Sequence, residues 1–499
     1  MTTTETIRTR TIIVGSGFAG LGMGAQLKRR GDDDFIIIER AGDVGGTWRD
    51  NTYPGAACDV PSHLYSFSFH PNPNWSRVFS PGPEIQAYLQ SFAKDEGLLP
   101  HLHFNQNMDH ARWEEEEGRW YVTTPDRVYC AQFLITGTGH LADEAYPDIP
   151  GLDGFTGATF HSARWDHTVD LEGKRIGVVG TGASAIQIVP ELTKVASELV
   201  VFQRTPSYMI PRVERAYTEG EKRLFNRDPQ AIDDLRSELF WAGENTFAQR
   251  RAIPRFLAEG KKLALDHLAA QVPDEQLRAK LTPSYEPGCK RVLISNTFYP
   301  ALQDPVTTLE ASALSSVNGA TVRAASGKEY ELDVLVFATG FEATEPPYAQ
   351  LIDGRGGTNL SEHWKKGMQA YQSVAVAGLP NLFSINGPNT SLGHNSIVYI
   401  IESQIEYILG AMDYMAATGV NIIEPSVEAE EAYVEQIQRN AQGTVWLDGG
   451  CNSWYVDQRT GRLTLIWPDF GYAFRDANGA FDAHGYEFRD APATAPALS

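Results

Sequence analysis

The sequence predicts an α/β protein that has two Rossmann-like dinucleotide-binding domains and an inserted helical subdomain. Two stretches each show a short apolar strand, a glycine turn, a helix and a second strand, and a segment rich in Glu, Lys, Leu and Ala follows the second of them. The predicted boundaries are 1–150 and 381–499 (the latter with the C-terminal tail) for the first dinucleotide domain, 151–212 and 286–380 for the second, and 213–285 for the helical insert.

The first unit is TIIVGSGFAGLGMGAQLKRRGDDDFIIIER, in which Gly15, Gly17 and Gly20 stand between a strand and a helix. The first glycine allows a tight turn, the second lets the backbone approach a pyrophosphate, and the third lets the helix pack on the strand. Glu39 ends the second strand and can accept hydrogen bonds from a ribose 2′-hydroxyl. The unit therefore predicts a site for FAD or NAD, and the alternative is a glycine turn with a fortuitous acid.

The second unit is KRIGVVGTGASAIQIVPELTKVASELVVFQR, with Gly180, Gly182 and Ala185 in the three turn positions. Its second strand ends in Arg204, and a guanidinium pairs with a 2′-phosphate that a carboxylate would repel. This unit predicts NADP, and the alternative for Arg204 is a surface salt bridge. Together the two units predict a flavoprotein that NADPH reduces. We expect the other turn residues to contact the nucleotides as well: Ser16, Phe18, Ala19, Thr181, Ala183 and Ser184.

Composition excludes several other classes of protein. The chain has 499 residues and a formal net charge of -21 at pH 7, without the cluster of Lys and Arg that a nucleic-acid-binding surface needs. The N-terminal MTTTETIRTR lacks the apolar core of a secretory signal, and no run of about 18 apolar residues predicts a membrane span. We therefore expect a cytoplasmic protein that binds no nucleic acid and has no membrane span.

The four cysteines have no spacing that is typical of a redox pair or a zinc site. They are Cys58, Cys130, Cys289 and Cys451. We therefore expect reduced thiols and no bound metal.

Two elements outside the nucleotide units have clear patterns. In IVYIIESQIEYILGAM the apolar residues recur every three or four positions, which predicts a core-facing helix that Asn395 or Ser396 caps. The segment WEEEEGRWYV predicts a hairpin with its acids at a solvated turn, and 426–441 predicts a further helix.

The stretch FTGATFHSARWD, between the two units, fits neither a helical nor a strand period. Its Phe155, Gly157, His161, Trp165 and Asp166 form F-x-G-x-x-x-H-x-x-x-W-D, which resembles the signature of type I Baeyer–Villiger monooxygenases, members of the flavin-containing monooxygenase superfamily. GGTWRDNTYPGAACD, GCKRV and ATGF also resemble motifs of that family and stand in its order. The resemblance runs from about residue 10 to about residue 400.

This resemblance implies an FAD- and NADPH-dependent monooxygenase that inserts one oxygen atom of O2 next to a ketone carbonyl through a C4a-peroxyflavin. The product is an ester or a lactone, and sulfoxidation is implied as a side activity. FAD then belongs to the first dinucleotide domain and NADP to the second. The sequence does not indicate which ketone is oxidised, with which selectivity, or in which oligomeric state.

The resemblance also implies roles for single residues. Arg291 is expected to stabilise the anionic oxygen nucleophile, because a guanidinium keeps its proton near neutral pH, and Asp59 is expected to pair with it. The alternative is that these two are unrelated surface charges. Lys290 and Thr205 are expected beside the NADP 2′-phosphate, and Trp48 is expected against the flavin or nicotinamide, or in the core. Further expected cofactor contacts are Gly46, Thr47, Val60 and Tyr65.

The signature stretch is expected to form a linker, at 151–170, between the two nucleotide domains. His161 is expected to organise domain motion there, with Phe155 and Trp165 packed in the same linker. The loop 386–396, NGPNTSLGHNS, is either a backbone contact for the flavin or a capped helix entry.

Three other classes of flavoprotein compete with this interpretation. An amine- or sulfide-oxygenating flavin monooxygenase typically has Tyr in place of Trp165. A flavin disulfide reductase needs a redox cysteine pair close in sequence, and the chain has none. A non-catalytic flavoprotein would not need Arg204 and Lys290 for NADPH.

Overall fold

The computed structural model of the protein describes residues 6–490 and contains 20 strands and 15 α-helices in that range. The strands are β1 (Thr6–Val14), β2 (Phe35–Ile38), β3 (Leu102–His103), β4 (His110–Glu114), β5 (Arg119–Thr123), β6 (Val128–Thr136), β7 (Ala158–His161), β8 (Arg175–Val179), β9 (Glu198–Phe202), β10 (Met209–Ile210), β11 (Leu293–Ile294), β12 (Thr307–Glu310), β13 (Leu314–Asn318), β14 (Thr321–Ala324), β15 (Glu329–Glu331), β16 (Val334–Phe337), β17 (Ile352–Asp353), β18 (Leu382–Ser384), β19 (Ile422–Pro425) and β20 (Tyr486–Arg489).

The α-helices are α1 (Phe18–Arg29), α2 (Thr47–Asp50), α3 (Gly82–Asp95), α4 (Ala185–Leu192), α5 (Glu219–Arg227), α6 (Pro229–Glu244), α7 (Phe247–Arg250), α8 (Pro254–Gln271), α9 (Glu275–Leu281), α10 (Phe298–Ala301), α11 (Leu360–His363), α12 (Ile397–Thr418), α13 (Val427–Ala441), α14 (Val445–Asp448) and α15 (Gly471–Asn478).

The first large sheet has eight strands, in the order β17-β4-β5-β6-β1-β2-β3, with β18 also paired to β6. β1 pairs in parallel with β2, and α1 joins them, as the first glycine unit predicts. β4 and β5 form the predicted antiparallel hairpin. Apolar side chains from α1, α3 and α12 cover one face of this sheet. The predicted helix in the last third of the chain is therefore α12, and the Ser396 hydroxyl at its N-cap accepts a hydrogen bond from the backbone N–H of Val398.

The second large sheet has five parallel strands, in the order β12-β9-β8-β16-β7. β8, α4 and β9 form the second predicted unit, and the strands are buried nearly throughout, as parallel strands covered on both faces are. Five helices, α5 to α9, lie between β10 and β11, where the sequence predicts the helical insert. The predicted α/β class with two Rossmann-like domains and a helical insert is thus confirmed.

One boundary differs from the prediction. The sequence predicts that the second dinucleotide domain continues to residue 380, but β17 pairs with β4 of the first sheet. Leu360 and Trp364 pack in the same core cluster as Ile12 of β1. The chain therefore returns to the first sheet between β16 and β17. A two-residue strand carries too little periodicity to reveal this from the sequence.

The cysteines also differ from the prediction. Cys289 and Cys451 form a disulfide across 162 residues, whereas Cys58 and Cys130 are buried free thiols. The expectation of four reduced thiols is therefore wrong for one pair. Spacing rules detect cysteines that are close in sequence, and this pair becomes close only through folding.

Within residues 6–490, no helix is both long enough and apolar enough to cross a membrane. Over the same residues, His, Cys, Asp and Glu form no group that could hold a metal ion.

One histidine is buried without polar partners. His63 is 1% exposed, and neither ring nitrogen has a hydrogen-bond partner in the described part of the chain. Its ring lies edge-on to Tyr217 and Phe225. Burial and the nearby Arg236 lower the pKa of His63 to about 4.

We expect His63 to make the fold less stable as the pH falls from 6.5 towards 4. In that window the unfolded chain binds a proton at His63 and the folded chain does not, which costs about 2 kcal/mol of stability near pH 5. The variant His63→Leu should lose this part of the pH dependence. Thermal unfolding of both proteins at about pH 7 and about pH 5 measures it. An equal fall in Tm for the two proteins would contradict the expectation.

Candidate functional site

A cavity of about 1210 Å³ is bordered by the glycine turns of both dinucleotide units. Ordinary ligand pockets measure roughly 300–1,000 Å³, so this cavity has room for more than one ligand. The cavity is bordered by 21 of the predicted cofactor-binding and catalytic residues: Gly15, Ser16, Gly17, Phe18, Ala19, Glu39, Gly46, Thr47, Trp48, Asp59, Val60, Tyr65, Gly180, Thr181, Gly182, Ala183, Ser184, Arg204, Thr205, Lys290 and Arg291. Gly20 and Ala185, the other two residues predicted to bind cofactor, do not border the cavity and lie beneath the turns.

The first turn leaves open space where a phosphate group would lie. Gly15 has φ +99°, a conformation that suits glycine. A Cβ on Gly20 would lie 1.8 Å from the carbonyl oxygen of Gly15, so only glycine allows the helix to pack this closely. A Cβ on Gly17, by contrast, would approach only Gly46, at 3.8 Å. No side chain caps the N-terminus of α1, so its backbone N–H groups remain available to an anion.

Glu39 is buried beneath the first turn and is fully hydrogen-bonded. Its Oε2 accepts hydrogen bonds from the backbone N–H and the hydroxyl of Ser16, at 3.0 and 2.8 Å. Its Oε1 accepts from the N–H of Ala41 and pairs with Arg49, both at 2.9 Å. A carboxylate accepts about four hydrogen bonds, so a ribose hydroxyl can reach Glu39 only by displacing one of these partners.

The second turn combines open space with two cations. A Cβ on Gly182 would meet no atom within 4 Å, and no side chain caps the N-terminus of α4. Burial lowers the pKa of Lys290, and the nearby Arg204 lowers it further. Among the described residues no carboxylate offsets this shift. A pair of cations in this state favours an anionic ligand between them.

Arg291 and Asp59 are brought together across 232 residues. The Arg291 Nε and Nη2 atoms lie 2.8 Å from the same oxygen, Oδ2 of Asp59. Asp59 raises the pKa of Arg291 above its already high ordinary value, and this outweighs burial. The guanidinium is therefore a permanent positive charge that borders the cavity.

Aromatic residues border the cavity near this pair. The Trp48 indole N–H donates to the Tyr65 hydroxyl at 3.2 Å, and the two rings meet edge to face. Burial raises the pKa of Tyr65, so its hydroxyl stays protonated and neutral.

The five signature residues do not border the cavity. His161 ends β7, and its Nδ1 accepts a hydrogen bond from the N–H of Ala163 at 3.1 Å. Its ring contacts Tyr146 and Phe341, which do border the cavity. Burial lowers the pKa of His161.

The remaining signature residues hold the local backbone. Trp165 packs edge to face on Phe160, and Phe155 packs on the core cluster over β16. A Cβ on Gly157 would lie 2.2 Å from the carbonyl oxygen of Asp333, and Asp166 accepts hydrogen bonds from Thr168.

Sequence reasoning missed two contacts of this site. The Tyr53 hydroxyl donates to Gln187 of α4 at 2.9 Å, and the Gln187 amide donates back to the carbonyl of Ala57, which links the two nucleotide units. Tyr455, 1% exposed, also borders the cavity, and its hydroxyl has no hydrogen-bond partner within residues 6–490. Burial raises the pKa of Tyr455, and the positive charge of Arg291 opposes that effect. In the sequence, the only signal for Tyr455 is its place in the aromatic stretch SWY, 453–455.

A buried carboxylate of the helical insert holds the loop 386–396. Glu244 Oε1 accepts from the Asn395 amide at 2.7 Å, from the Gly471 N–H at 3.2 Å, and lies 3.1 Å from Nε2 of His394. Burial raises the pKa of Glu244, but these partners outweigh it and the net pKa is lowered. Asn395 borders the cavity, so the insert fixes part of the cavity wall.

Known proteins match the chain over nearly its whole length. The model of the flavin-binding monooxygenase-like family matches residues 8–227. A Baeyer–Villiger monooxygenase of Streptomyces coelicolor is 45% identical over 97% of this chain and 93% of its own. One of Pseudomonas aeruginosa is 41% identical over 97% of this chain and 92% of its own.

Solved structures of monooxygenases superpose on this chain over nearly its whole length. Cyclohexanone monooxygenase from Rhodococcus sp. Phi1, bound to NADP+, superposes with a TM-score of 0.87 at 27% identity, over 97% of this chain and 100% of that chain. An oxidised steroid monooxygenase bound to NADP superposes with a TM-score of 0.85 at 28% identity, over 96% of this chain and 99% of that chain.

The two dinucleotide folds that share one cavity agree with the match to the flavin-binding monooxygenase-like family and to its monooxygenase relatives, so the protein is a flavin-binding monooxygenase. The Streptomyces coelicolor relative, 45% identical over 97% of this chain, narrows this class to one family. The chain belongs to the Baeyer–Villiger monooxygenase family.

We expect Glu244→Ala to destabilise the insert and the loop together. It leaves the Gly471 N–H unpaired in a buried site and removes one of the two acceptors of the Asn395 amide, which still donates to the carbonyl of Phe240, and this costs about 3 kcal/mol. Thermal unfolding should show a lower Tm than for Glu238→Ala, which removes an exposed carboxylate from the same helix. Equal Tm values for the two variants would contradict this expectation.

Proposed function

We propose that this protein uses NADPH, O2 and bound FAD to insert one oxygen atom next to the carbonyl of a ketone, giving an ester or a lactone. The observation that carries the proposal is the Arg291–Asp59 pair in a cavity that the turns of both dinucleotide units border. Membership of the Baeyer–Villiger monooxygenase family supports the same reaction.

FAD is assigned to the first turn. The open side of Gly17 and the uncapped N-terminus of α1 suit a pyrophosphate, which carries negative charge and needs close backbone approach. Trp48 and Tyr65 supply an aromatic wall where the ring system of the flavin would lie. The ribose contact of Glu39 stays a prediction, because it requires one of four existing hydrogen bonds to be exchanged.

NADPH is assigned to the second turn. Gly182 leaves space for its pyrophosphate, and Arg204 with Lys290 suits its 2′-phosphate. A phosphate dianion between them would relieve the mutual repulsion of these two cations. Thr205, which borders the cavity next to Arg204, is assigned to the same phosphate.

The chemistry that FAD and NADPH supply when bound is hydride transfer and the activation of O2. Arg291 provides a charge that stabilises negative oxygen as it adds to the substrate carbonyl, and it cannot quench that oxygen by giving up a proton. Asp59 holds the guanidinium in place through Oδ2. Without Asp59, a desolvated cation would lack its counter-charge.

His161 is assigned to the coupling of the two nucleotide domains. Its ring contacts Tyr146 and Phe341, which border the cavity, and it does not border the cavity itself. A role in positioning these segments fits that location better than a role in proton transfer.

The proposed reaction is tested by mixing the FAD-loaded protein with NADPH, O2 and a panel of linear, cyclic and aromatic ketones. Ketone-dependent NADPH oxidation with an ester or lactone product, identified by mass spectrometry, supports the proposal. Oxidation of amines or sulfides alone would assign the protein to N- or S-oxygenation. An FAD-loaded protein that NADPH does not reduce would identify a non-catalytic flavoprotein.

We expect Arg291→Lys to slow oxygen insertion strongly but to keep reduction of the bound flavin by NADPH. The lysine keeps a positive charge but loses the two-point contact with Asp59, so ester formation should fall roughly 100-fold or more. Asp59→Asn should show the same separation of the two half-reactions. Stopped-flow reduction and product analysis measure them separately, and wild-type ester formation in both variants would contradict the assignment.

We expect Arg204→Ala to raise KM for NADPH by about 10- to 100-fold, because a charge-assisted phosphate contact contributes about 1.5–3 kcal/mol. NADH lacks the 2′-phosphate, so KM for NADH should not change in the same variant. Arg223→Ala, which removes an exposed arginine on the insert, is the matched control. A parallel rise in KM for both nucleotides would contradict a role in 2′-phosphate recognition.

A further inference from the structure

The disulfide between Cys289 and Cys451 joins two segments that border the same cavity. The first, here called the turn segment, is 286–291 and ends in Lys290 and Arg291. The second, here called the aromatic segment, is 449–455 and ends in Trp454 and Tyr455. All four of these end residues border the cavity.

The two segments are packed together closely around the disulfide. The Glu286 N–H donates to the carbonyl of Gly449 at 2.8 Å. A Cβ on Gly449 would lie 2.8 Å from the Cβ of Cys289, so glycine is required for this approach. These contacts place the aromatic segment against Cys289, the residue that precedes Lys290.

The far end of the aromatic segment is fixed independently. The carbonyl of Tyr455 accepts hydrogen bonds from the N–H groups of Thr464 and Leu465, at 3.2 and 3.4 Å. The Tyr455 side chain is close enough to Arg291 for the two to shift each other's pKa. The disulfide at one end and these hydrogen bonds at the other together hold Trp454 and Tyr455 relative to the cations of the turn segment.

We propose that Cys289 and Cys451 are positioning residues, and that their disulfide holds the aromatic segment against Lys290 and Arg291 for NADP binding and oxygen insertion. The inference rests on the proposed function, both for the NADP site at Lys290 and for oxygen insertion at Arg291. It follows that a dithiol reductant loosens this wall of the cavity.

Thiol–disulfide exchange between the reductant and this disulfide has a defined direction. Cys289 is 0% exposed, whereas Cys451 is partly exposed, so a thiolate of the reductant attacks Sγ of Cys451. The thiolate of Cys289 leaves and takes up a proton, and the second thiol of the reductant then displaces Cys451 from the mixed disulfide. Two cysteine thiols and one oxidised dithiol result, so two electrons and two protons pass from the reductant to the protein.

The first measurement is the thiol state of the holoenzyme. Alkylation after unfolding without reductant should label Cys58 and Cys130 and leave Cys289 and Cys451 unlabelled in peptide mass spectra. Dithiothreitol treatment before alkylation should add both missing labels. Labelled Cys289 and Cys451 in the untreated protein would overturn the proposal.

The second measurement is the Kd of NADP+ for the oxidised holoenzyme, which requires no ketone. Treatment with dithiothreitol should raise it about tenfold, the loss expected for one charge-assisted contact. Cys451→Ser should show the raised Kd without treatment and no further response to dithiothreitol. Cys130→Ser, which removes a buried thiol away from the cavity, should behave as the wild type does.

The third measurement is the share of NADPH oxidation that yields hydrogen peroxide when a ketone is present. Reduction and Cys451→Ser should both raise this share. A lower Tm with unchanged NADP+ affinity and unchanged peroxide share would indicate a merely structural cross-link and overturn the proposal. If no ketone is oxidised but the Kd still responds to dithiothreitol, the proposed reaction fails and the positioning of the NADP site stands.

Discussion

The ion pair between Arg291 and Asp59 is the constraint on which the site depends. A guanidinium that is largely withdrawn from water is costly without a counter-charge, and the partner of Arg291 comes from a segment 232 residues away. Asp59 follows the first glycine unit and Arg291 follows the helical insert, so the pair forms only if both nucleotide folds and the return from the insert are in place. The same folding brings the two open turns to one cavity.

The helical insert then shapes the cavity through buried polar contacts. Glu244 holds the loop 386–396 from one side, and Arg250 donates to the carbonyl of Gly393 at 2.8 Å. Burial lowers the pKa of Arg250 to about 10, which leaves it charged at neutral pH. Because unpaired buried groups are costly, these contacts define one position of the loop relative to the insert.

The sequence predicted those features whose signal is local. Gly15, Gly17 and Glu39 follow a known spacing, and α12 follows a helical period, so both nucleotide units and this helix were predicted correctly. The two-residue strand β17 and the disulfide between Cys289 and Cys451 were not predicted, because they depend on pairing between distant segments. Motifs that recur within a family identified Arg291 and Asp59, whereas spacing alone could not have joined them.

Local charge at the second turn opposes the charge of the whole protein. The chain has a net charge of -21, yet Arg204, Lys290 and Arg291 all border the cavity where an anionic nucleotide would bind. Exposed charges farther away than about 10 Å are largely screened at physiological salt, whereas cations within a cavity are screened less. The acidic surface therefore promotes solubility, and the proposed recognition of an anion rests on the cations that border the cavity. Since Lys290 lies between Cys289 and Arg291, one short segment would combine the proposed recognition of that anion with the charge proposed to support the reaction.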